Sequence, residues 1–455
     1  MCIIEPTVRV EQRRCAPQTY PCPTCGVPGR RKGLHHRTVR CLAYREILLI
    51  ELTIAEYRAD CDCCKTFRSQ VEGILPRAEY TNRVREAVLD RLLDDKMNVE
   101  TLRQSLARDF LLELSDGFVY DCLDWKVRQF DGADYRQWTL AHFSGSVCID
   151  EIHLGKKTLL LATDPINDFP IAFALVSAND QDHMRRFLNN LKRAGFLPTV
   201  VITDGSNLYP TVLAEIWPDA RHQLCVFHVM QDLNKQVLDA VKRLRRQLSR
   251  RGKGGRKRKR GRRKSGSRGR SRLTLKDKAH FVFKHRYLIV RRREEMSQTE
   301  RNDLQTMLEY LPELGVLRKF VDRLHGLFEV EQSQHQARCR RAALLRQQSF
   351  QQVPELVKAL EMLEESKFEK MVAFLHSPAN RRIRTNNHVE RMNRQLRYLE
   401  KVRYKWRRRA SIVRFLVLAL DRWRRQRGSK DERAAGEAKN PGAGKAASVA
   451  PRLSP

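Results

Sequence analysis

The sequence predicts an α/β protein made of several domains. Three observations predict this class: paired cysteines near the N-terminus, helical patterns before and after the middle of the chain, and short apolar, β-rich runs between residues 145 and 228. The chain has 455 residues, which exceeds one ordinary hydrophobic core, so we expect two to four domains.

The charge of the chain points to its partners. A net charge of +35, from 88 basic and 53 acidic residues, predicts a polyanionic partner bound through phosphate contacts. Nonspecific RNA binding is the alternative that charge alone does not separate from DNA binding. No apolar run approaches the roughly 18 residues of a membrane span, and the N-terminus lacks the features of a signal peptide. We therefore expect a cytosolic protein without a membrane partner.

The N-terminal cysteines predict a metal site. Seven of the twelve cysteines fall between residues 15 and 64, and in a cytosolic chain such clustering favours metal over disulfides. Two C-x-x-C pairs, Cys22 with Cys25 and Cys61 with Cys64, can supply four thiolates to Zn²⁺. We predict a zinc-ribbon-like domain over residues 15–75, with one or two strands within residues 39–54.

The zinc ligand set leaves alternatives open. Cys63 can replace Cys61 or Cys64, and His35 or His36 can replace one thiolate. The gap between the two pairs is longer than a compact ribbon usually has. Buried free cysteines without metal are the alternative to the whole site.

Residues 80–135 carry a helical pattern with polar breaks. Three short helices are predicted, and Ser115 and Asp116 are suitable caps for the third. This arrangement suits a helix-turn-helix DNA-binding domain, whose last helix would enter the major groove. An ordinary helical linker domain has the same periodicity and remains the alternative.

The segment from residue 145 to 235 is different, because strands and helices alternate there in the order β-β-β-α-β-α-β. Short turns between the first three strands predict an antiparallel meander, and the later crossovers predict parallel strands. This is the element order of a ribonuclease H-like sheet. The predicted strands are 146–150, 158–164, 171–177, 200–203 and 222–227.

Three acids are the candidate catalytic residues. Asp150 and Asp204 each end an apolar run, so neighbouring strands would project both carboxylates from one sheet edge. Glu390 lies in a later helical pattern. Three carboxylates can hold two Mg²⁺ or Mn²⁺ ions, which assist phosphodiester exchange. A turn or cap role is the alternative for each acid, and Glu151 is the competitor of Asp150 on the opposite strand face.

Polar residues accompany Glu390 on its predicted helix. Asn393, Arg394 and Arg397 follow it at i+3, i+4 and i+7, so they share its face. An amide and two guanidinium groups suit a carboxylate that holds metal beside a phosphate. Asp164 and Asp168, by contrast, are expected to be turn residues between strands.

The remaining segments complete the domain prediction. Residues 236–375 are predicted to form a helical insertion, and residues 376–425 to complete the catalytic domain. Residues 250–272 hold 14 Lys or Arg and no acid, so we expect a disordered basic loop that contacts DNA, or a tolerated insertion. The tail at 428–455 is expected to be disordered.

Several motifs together resemble bacterial insertion-sequence transposases of the DDE type, in the group called ISL-three. They follow the cysteine ribbon and helix-turn-helix in the same order: Ile149-Asp150-Glu151, Thr203-Asp204-Gly205, Cys225-Val-Phe-His228 and Thr385-Asn-Asn-His-Val-Glu390-Arg-Met-Asn393. The resemblance implies that Asp150, Asp204 and Glu390 are catalytic. It also implies an accessory role for the Cys-x-x-His element.

Cys225 and His228 leave several roles open. They form half of a zinc site, but two ligands do not bind zinc firmly. His228 is therefore expected to contact DNA or to orient an active-site group, with a packed core histidine as the alternative.

The resemblance implies a DNA transposase. It would bind double-stranded DNA at terminal inverted repeats and at the target, cleave it with Mg²⁺ or Mn²⁺, and transfer the freed strand. It would act in the bacterial cytoplasm at the nucleoid, as a homodimer or larger assembly on DNA. A metal-dependent nuclease or resolvase on the same fold is one alternative, and a non-catalytic DNA-binding regulator is another.

Overall fold

The computed structural model describes residues 7–63, 66–154, 156–251, 273–376, 383–402 and 408–439. The chain divides into two compact units. Unit 1 comprises Met1–Trp138, His153–Lys157 and Met392–Pro455, and unit 2 comprises Thr139–Ile152 and Thr158–Arg391. In the described part of the chain, every helix is too short or too polar to span a membrane.

Unit 1 begins with a five-stranded sheet. Its strands are β1 (Thr7–Cys15), β2 (Thr19–Pro21), β3 (Pro28–Cys41), β4 (Glu46–Arg58) and β5 (Thr66–Arg68). The order is β1-β4-β3-β2, with β5 paired to β4. Strands β3 and β4 form an antiparallel hairpin, which confirms the two-strand version of the prediction for residues 39–54. The sequence did not indicate that β1 pairs in parallel with β4.

Short helices follow this sheet. They are α1 (Asn82–Leu93), α2 (Val99–Phe110), α3 (Asp116–Arg128) and α4 (Gly132–Ala141). The three predicted helices are present, and α4 is additional. Ser115 caps α3, because its side chain accepts a hydrogen bond from the Phe118 N–H, and Asn98 caps α2 in the same way.

Unit 2 contains the second five-stranded sheet. Its strands are β6 (Ser146–Leu154), β7 (Lys157–Asp164), β8 (Phe169–Val176), β9 (Val200–Thr203) and β10 (Arg221–Leu224). Helices α5 (Gln181–Arg193) and α6 (Tyr209–Ile216) connect the last three strands. The sheet order is β10-β9-β6-β7-β8, with β6, β9 and β10 parallel and β7 antiparallel to β8. The element order is the one that the sequence predicted.

A helical bundle follows the sheet in unit 2. Its helices are α7 (Val226–Arg251), α8 (Leu275–Lys284), α9 (Gln298–Tyr310), α10 (Leu314–Leu327), α11 (Gln334–Leu345), α12 (Gln348–Gln351), α13 (Pro354–Glu361) and α14 (Glu365–Met371). One large apolar cluster fills the bundle. The buried Gln223 side chain binds the far end of the bundle to β10, since it donates to the Met371 carbonyl and accepts from the Phe374 N–H.

Two final helices are α15 (Asn387–Val402) and α16 (Arg409–Lys439). Helix α16 extends through residues 428–439, the first part of the segment that was expected to be disordered. The sequence there is rich in Ala, Glu, Lys and Arg and holds no proline before Pro441, so helix propensity outweighs its polarity. Residues 440–455 lie outside the described residues.

Other predicted boundaries also differ from the structure, and β6, predicted to end at residue 150, continues to Leu154. The strand predicted over 222–227 ends at Leu224, because the Val226 N–H donates to the Arg384 carbonyl instead of continuing the ladder with β9. The basic block predicted at 250–272 lies outside the described residues except for Arg250 and Arg251, which form the end of α7.

Candidate active site and cysteine cluster

Asp150 and Asp204 occupy equivalent positions on paired strands. Cys148 of β6 pairs with Ile202 of β9 in a parallel ladder. Asp150 lies two positions after Cys148, and Asp204 lies two positions after Ile202. Since side chains two residues apart share a strand face, Asp150 lies on the Cys148 face and Asp204 on the Ile202 face. Both acids are partly exposed, whereas Cys148 and Ile202 are fully buried. The structure therefore brings these two predicted acids to the same edge of the sheet.

Glu151, the competitor of Asp150, is held in a different network. Its carboxylate accepts hydrogen bonds from the Tyr209 hydroxyl and, at 3.1 Å, from the Asn179 amide. Asp204 has part of its predicted turn role, because its Oδ1 accepts the Ser206 N–H at 2.9 Å. The turn that follows β9 thus fixes Asp204, while Tyr209 and Asn179 engage Glu151.

Two later segments, one directly after β10 and one before α15, also lie at this edge of the sheet. Cys225 directly follows β10, and its N–H donates to the Thr203 carbonyl at 2.8 Å. His228 lies in the first turn of α7. The segment before α15 returns to this point, because the Asn386 N–H donates to Cys225 Sγ at 3.4 Å. Glu390 then follows in the first turn of α15.

Cys225, His228 and Glu390 form a compact group. Their ligand atoms all lie within 4.8 Å of one another, and His228 Nε2 is 3.7 Å from Glu390 Oε1. Cys225 is fully buried, whereas the His228 side chain is 32% exposed, which argues against a packed core histidine. Glu390 Oε1 is buried and has no hydrogen-bond partner among the described residues. Asp150 and Asp204 are not members of this group.

Two buried side chains in this part of unit 2, Cys148 and Tyr209, have raised pKa values. Burial raises the pKa of the Cys148 thiol, and the charges of Asp150 and Glu390 raise it further. Burial likewise raises the pKa of Tyr209, and Asp204 and Asp150 are among the carboxylates that add to the effect. For Cys148 the larger charge effects come from Cys225 and Asp164, and for Tyr209 the largest comes from Glu151, its hydrogen-bond partner.

His228 also has a raised pKa. The Cys225 side chain is the largest cause that raises the pKa of His228 to about 9, and the charges of Glu390 and Asp204 contribute as well. The contact between the two elements, α7 and α15, is direct, since His228 Nε2 lies 3.7 Å from Glu390 Oε1.

A clamp centred on Asp168 holds the first turn of α15. Asp168 Oδ1 accepts hydrogen bonds from His388 Nε2 and, at 2.6 Å, from Arg391 Nη2. His388 Nδ1 also pairs with Thr163 Oγ1 at 2.9 Å. These residues flank Glu390 in sequence, so the β7–β8 turn fixes the helix that carries the third acid. The sequence predicts only a turn role for Asp168, because the partners that give it this second role lie more than two hundred positions away.

The polar residues after Glu390 have different environments. Asn393 is buried, with 4% of its surface exposed, whereas Arg394 and Arg397 are exposed on α15. Met392 is the first residue of α15 that belongs to unit 1, so all three residues are assigned to unit 1. Only the two arginines are thus available to solvent or to a bound polyanion.

Four N-terminal sulfurs form the second candidate metal group. The sulfur atoms of Cys22, Cys25, Cys61 and Cys63 lie within 4.8 Å of one another. Cys63 Sγ is 3.2 Å from Cys25 Sγ and 3.5 Å from Cys22 Sγ. Thiolates around one Zn²⁺ are about 3.8 Å apart, from a Zn–S distance of about 2.3 Å and tetrahedral angles, so these residues fit the ion.

The alternatives for the fourth ligand can now be compared. Cys63 occupies this place, while Cys64, the predicted ligand, lies outside the described residues. His35 pairs with Glu56, and His36 pairs with Thr53, so both histidines are engaged elsewhere. The described geometry therefore favours a group of four cysteines over one that includes histidine.

The first C-x-x-C pair has the backbone of a metal knuckle. The Gly26 N–H donates to the Cys22 carbonyl, and Gly26 has a φ of +76°, a conformation that suits glycine. Backbone N–H groups of Cys25, first, and of Thr24 lower the pKa of the Cys22 thiol to about 6. These donors stabilise the thiolate, which is the form that binds metal.

Comparison with known proteins gives two positive findings. A family model described as a transposase, of the DDE type and the ISL3 group, matches residues 147–410, which is more than half of the chain. Among solved structures, the chain is similar to the Drosophila P element transposase strand transfer complex, with 11% identity and a TM-score of 0.36 over 78% of this chain and 93% of that chain. No curated protein matches the chain.

Proposed function

Because the chain belongs to the ISL3 transposase family, we propose that it cuts DNA at the ends of a transposable element and joins the freed 3′ hydroxyl to target DNA. What supports this proposal is that Asp150 and Asp204 each follow a paired residue of β6 and β9 by two positions, and that Glu390 lies 3.7 Å from His228, which follows β10 in the chain. We assign the sheet to a ribonuclease H-like catalytic domain on the basis of its strand order.

In this proposal the three acids hold divalent metal. Their carboxylates are the hard oxygen ligands that Mg²⁺ and Mn²⁺ prefer. Glu390 Oε1 is buried without a hydrogen-bond partner among the described residues, and His228 Nε2 faces it at 3.7 Å, beyond hydrogen-bond distance, so a bound metal ion would compensate its charge at closer range. A pair of ions bound there would stabilise charge on both the attacking and the leaving oxygen of a phosphodiester.

The protein itself supplies positioning. Strands β6 and β9 pair in parallel just before Asp150 and Asp204, the Asp168 clamp holds the first turn of the helix that carries Glu390, and Tyr209 and Asn179 engage Glu151 by hydrogen bonds. A water molecule attacks the phosphate first, and the DNA strand leaves as a 3′ hydroxyl. That hydroxyl then attacks the target phosphate, and a new 3′ oxygen leaves. No covalent intermediate with the enzyme is required, because orientation and charge neutralisation suffice.

Unit 1 would recognise the DNA. The four clustered cysteines would hold a structural Zn²⁺, and the three helices α1–α3 would form a helix-turn-helix whose α3 reads bases in the major groove. The net charge of +35 supports phosphate contacts along the duplex. Assembly as a dimer or larger complex would bring two element ends together.

The direct test is a reaction of the purified full chain with duplex DNA that carries the inverted repeats flanking its gene. With Mg²⁺, we expect nicks that leave a 3′ hydroxyl at the repeat end, followed by joined products with target plasmid. Cleavage without joining would indicate the nuclease alternative. Repeat-specific binding without cleavage would indicate the regulator.

A further inference from the structure

Cys225, His228 and Glu390 offer one metal a mixed set of ligands. Thiolate, imidazole and carboxylate are all ligands of zinc, and sites with three protein ligands keep a fourth position open. The sequence supplied only the Cys-x-x-His half of such a set, and two ligands do not hold zinc firmly. The structure adds Glu390 as the third, with all ligand atoms within 4.8 Å of one another.

The ligand atoms are buried and available. Glu390 Oε1 and His228 Nδ1 are both buried without a hydrogen-bond partner among the described residues. Buried polar atoms of a native protein are normally paired, and the 3.7 Å between Glu390 Oε1 and His228 Nε2 is too long for a hydrogen bond, so a group bound between these side chains would satisfy both. The side chain of Asn386 is also fully buried beside this group, and neither of its amide atoms is paired within the described part of the chain.

Backbone contacts fix the position of Cys225. Its sulfur accepts the Asn386 N–H at 3.4 Å, and it stands directly before α7, a helix of 26 residues. Metal binding would release the proton of the Cys225 thiol and one proton of the His228 imidazolium to solvent, so that a thiolate, a neutral imidazole and a carboxylate would face the ion.

We propose that Cys225, His228 and Glu390 form a site for a thiolate-preferring cation of the Zn²⁺ class, which shares Glu390 with the Mg²⁺ site of the proposed reaction. This proposal rests on the proposed function in one respect, the catalytic role of Glu390. Thiolate and imidazole select softer cations than three carboxylates do. Occupancy of the mixed site therefore withdraws Glu390 from the carboxylate site, and a Zn²⁺-class ion competes with the reaction.

The experiment measures Zn²⁺ per chain on the full-length protein, after dialysis against Zn²⁺ with excess Mg²⁺ and removal of free metal. We expect two ions in the wild type, one in the N-terminal cysteine cluster and one in the mixed site. Cys225→Ser, His228→Gln and Glu390→Gln should each retain one ion. Co²⁺ substitution gives a second readout, because charge-transfer absorption between thiolate and Co²⁺ reports the bound ion. This absorption per chain should fall in Cys225→Ser, which removes the thiolate, and also in Glu390→Gln, which loses the ion.

Two control variants are matched to the ligands. Cys339→Ser removes an exposed helical thiol that lies 3.5 Å from His335, a pair without a third ligand, and should retain two ions. Asp150→Asn removes a catalytic acid outside the mixed group and should also retain two. Circular dichroism of each variant establishes that it is folded, and His228→Gln replaces Cys225→Ser if the latter does not fold.

The outcomes separate this proposal from the proposed function. Two ions in folded Cys225→Ser or His228→Gln would overturn the mixed site and leave the transposase reaction untouched. Two ions in Glu390→Gln would overturn the sharing of Glu390. Wild-type cleavage by Asp150→Asn, with normal Zn²⁺ content, would instead contradict the assigned chemistry while the metal site stands.

Discussion

Asp150 and Asp204 stand at the same level of two parallel strands, each two residues beyond a paired position of the β6–β9 ladder. Adjacent strands are about 4.8 Å apart, so this register alone places the two backbones side by side at the sheet edge. A slip of one residue would send one of the acids to the opposite face. The register is therefore the structural basis for the proposed metal site.

The first prediction uses the neighbouring acids of β6. Asp150→Asn should lower Mg²⁺-dependent cleavage on the order of 100-fold or more, because metal ions contribute several kcal/mol of transition-state stabilisation. DNA binding should be retained or slightly strengthened, since the variant repels phosphate less. The measurements are single-turnover cleavage of a labelled repeat end and its binding by gel shift.

Glu151→Gln is the matched control for this variant. It removes a charge one residue away but keeps a side chain that can pair with Tyr209 and Asn179. We expect cleavage within a few-fold of wild type and the same metal requirement. A larger loss in Glu151→Gln than in Asp150→Asn would exchange the roles assigned to the two acids.

The sheet of unit 2 was predictable because its signals are local. Apolar runs broken by turn residues and the helical spacing of Met184, Phe187, Leu188 and Leu191 specify the strand and helix order from short stretches of sequence. The strand boundaries were less predictable. Strand β6 continues past Asp150 to Leu154, although acidic residues within the run suggest an end. Pairing with the neighbouring strands outweighs the low strand propensity of these residues.

The grouping of Glu390 with Cys225 and His228 was not predictable in this way. The whole helical bundle separates these residues in the chain, and their proximity depends on backbone bonds such as the one from Val226 N–H to the Arg384 carbonyl. Such a bond leaves no periodic signal in the sequence. The family resemblance implied that the Cys-x-x-His element is accessory, but only the fold gives the 3.7 Å separation of His228 and Glu390.

The second prediction concerns Asp168 as a positioning residue. Asp168 has a φ of +56°, which asparagine also tolerates, so Asp168→Asn removes the charge with little backbone strain. Weakening its bonds to His388 and Arg391 should cost about 1–3 kcal/mol of stability. Cleavage should fall on the order of tenfold, because Glu390 loses its fixed orientation.

The distinguishing readout for Asp168→Asn is its metal dependence. A displaced Glu390 should raise the Mg²⁺ concentration needed for half-maximal cleavage, whereas a change in stability alone should not. Glu215→Gln, which breaks the exposed pair of Glu215 with Arg185, is the control and should leave this value unchanged. An unchanged Mg²⁺ requirement in a less stable Asp168→Asn protein would reduce Asp168 to a purely structural role.

The third prediction concerns the N-terminal cysteine cluster. In a Cys225→Ser background the full chain should bind one Zn²⁺, and Cys63→Ser should reduce this affinity as much as Cys22→Ser, because Cys63 Sγ contacts the other sulfurs of the group. Cys15→Ser, which lies outside the group, should have no effect. Competition with a chromophoric chelator measures the affinities. Full Zn²⁺ affinity in Cys63→Ser would indicate that Cys64, and not Cys63, is the fourth ligand.

The fourth prediction concerns pH and His222. Burial is the main cause that lowers the pKa of His222 to about 4, from 6.5 for an unperturbed histidine. The folded protein therefore holds the ring neutral, and its stabilising contribution is complete above pH 6.5 and is lost as the pH falls toward 4. Urea denaturation should show this loss in the wild type between these values.

His222→Gln tests the assignment, because it keeps a polar partner for Thr203 Oγ1 but does not titrate. Between pH 7 and pH 4.5 the free energy of unfolding should fall more in the wild type than in this variant, by on the order of 2 kcal/mol. This is less than the energy equivalent of the full pKa shift, because the ring is partly exposed. Equal pH dependence of the two proteins would contradict a neutral buried His222. The comparison at pH 7 measures the loss of the hydrogen bond separately.

The fifth prediction concerns the basic block at residues 250–272, which carries 14 Lys or Arg and no acid. Replacing it with a Gly/Ser segment of the same length removes the charge and keeps the connection between α7 and α8. Nonspecific DNA affinity should fall and its salt dependence should flatten, since each phosphate contact contributes about −0.9 to the slope of log K against log salt. Preference for the inverted repeat should remain, because phosphate contacts carry no sequence information.

The measurement is a salt titration of binding to repeat and random duplexes. A replacement with an unchanged salt slope would show that the block makes no phosphate contacts, and a loss of preference for the repeat would transfer base reading from the N-terminal helices to this segment.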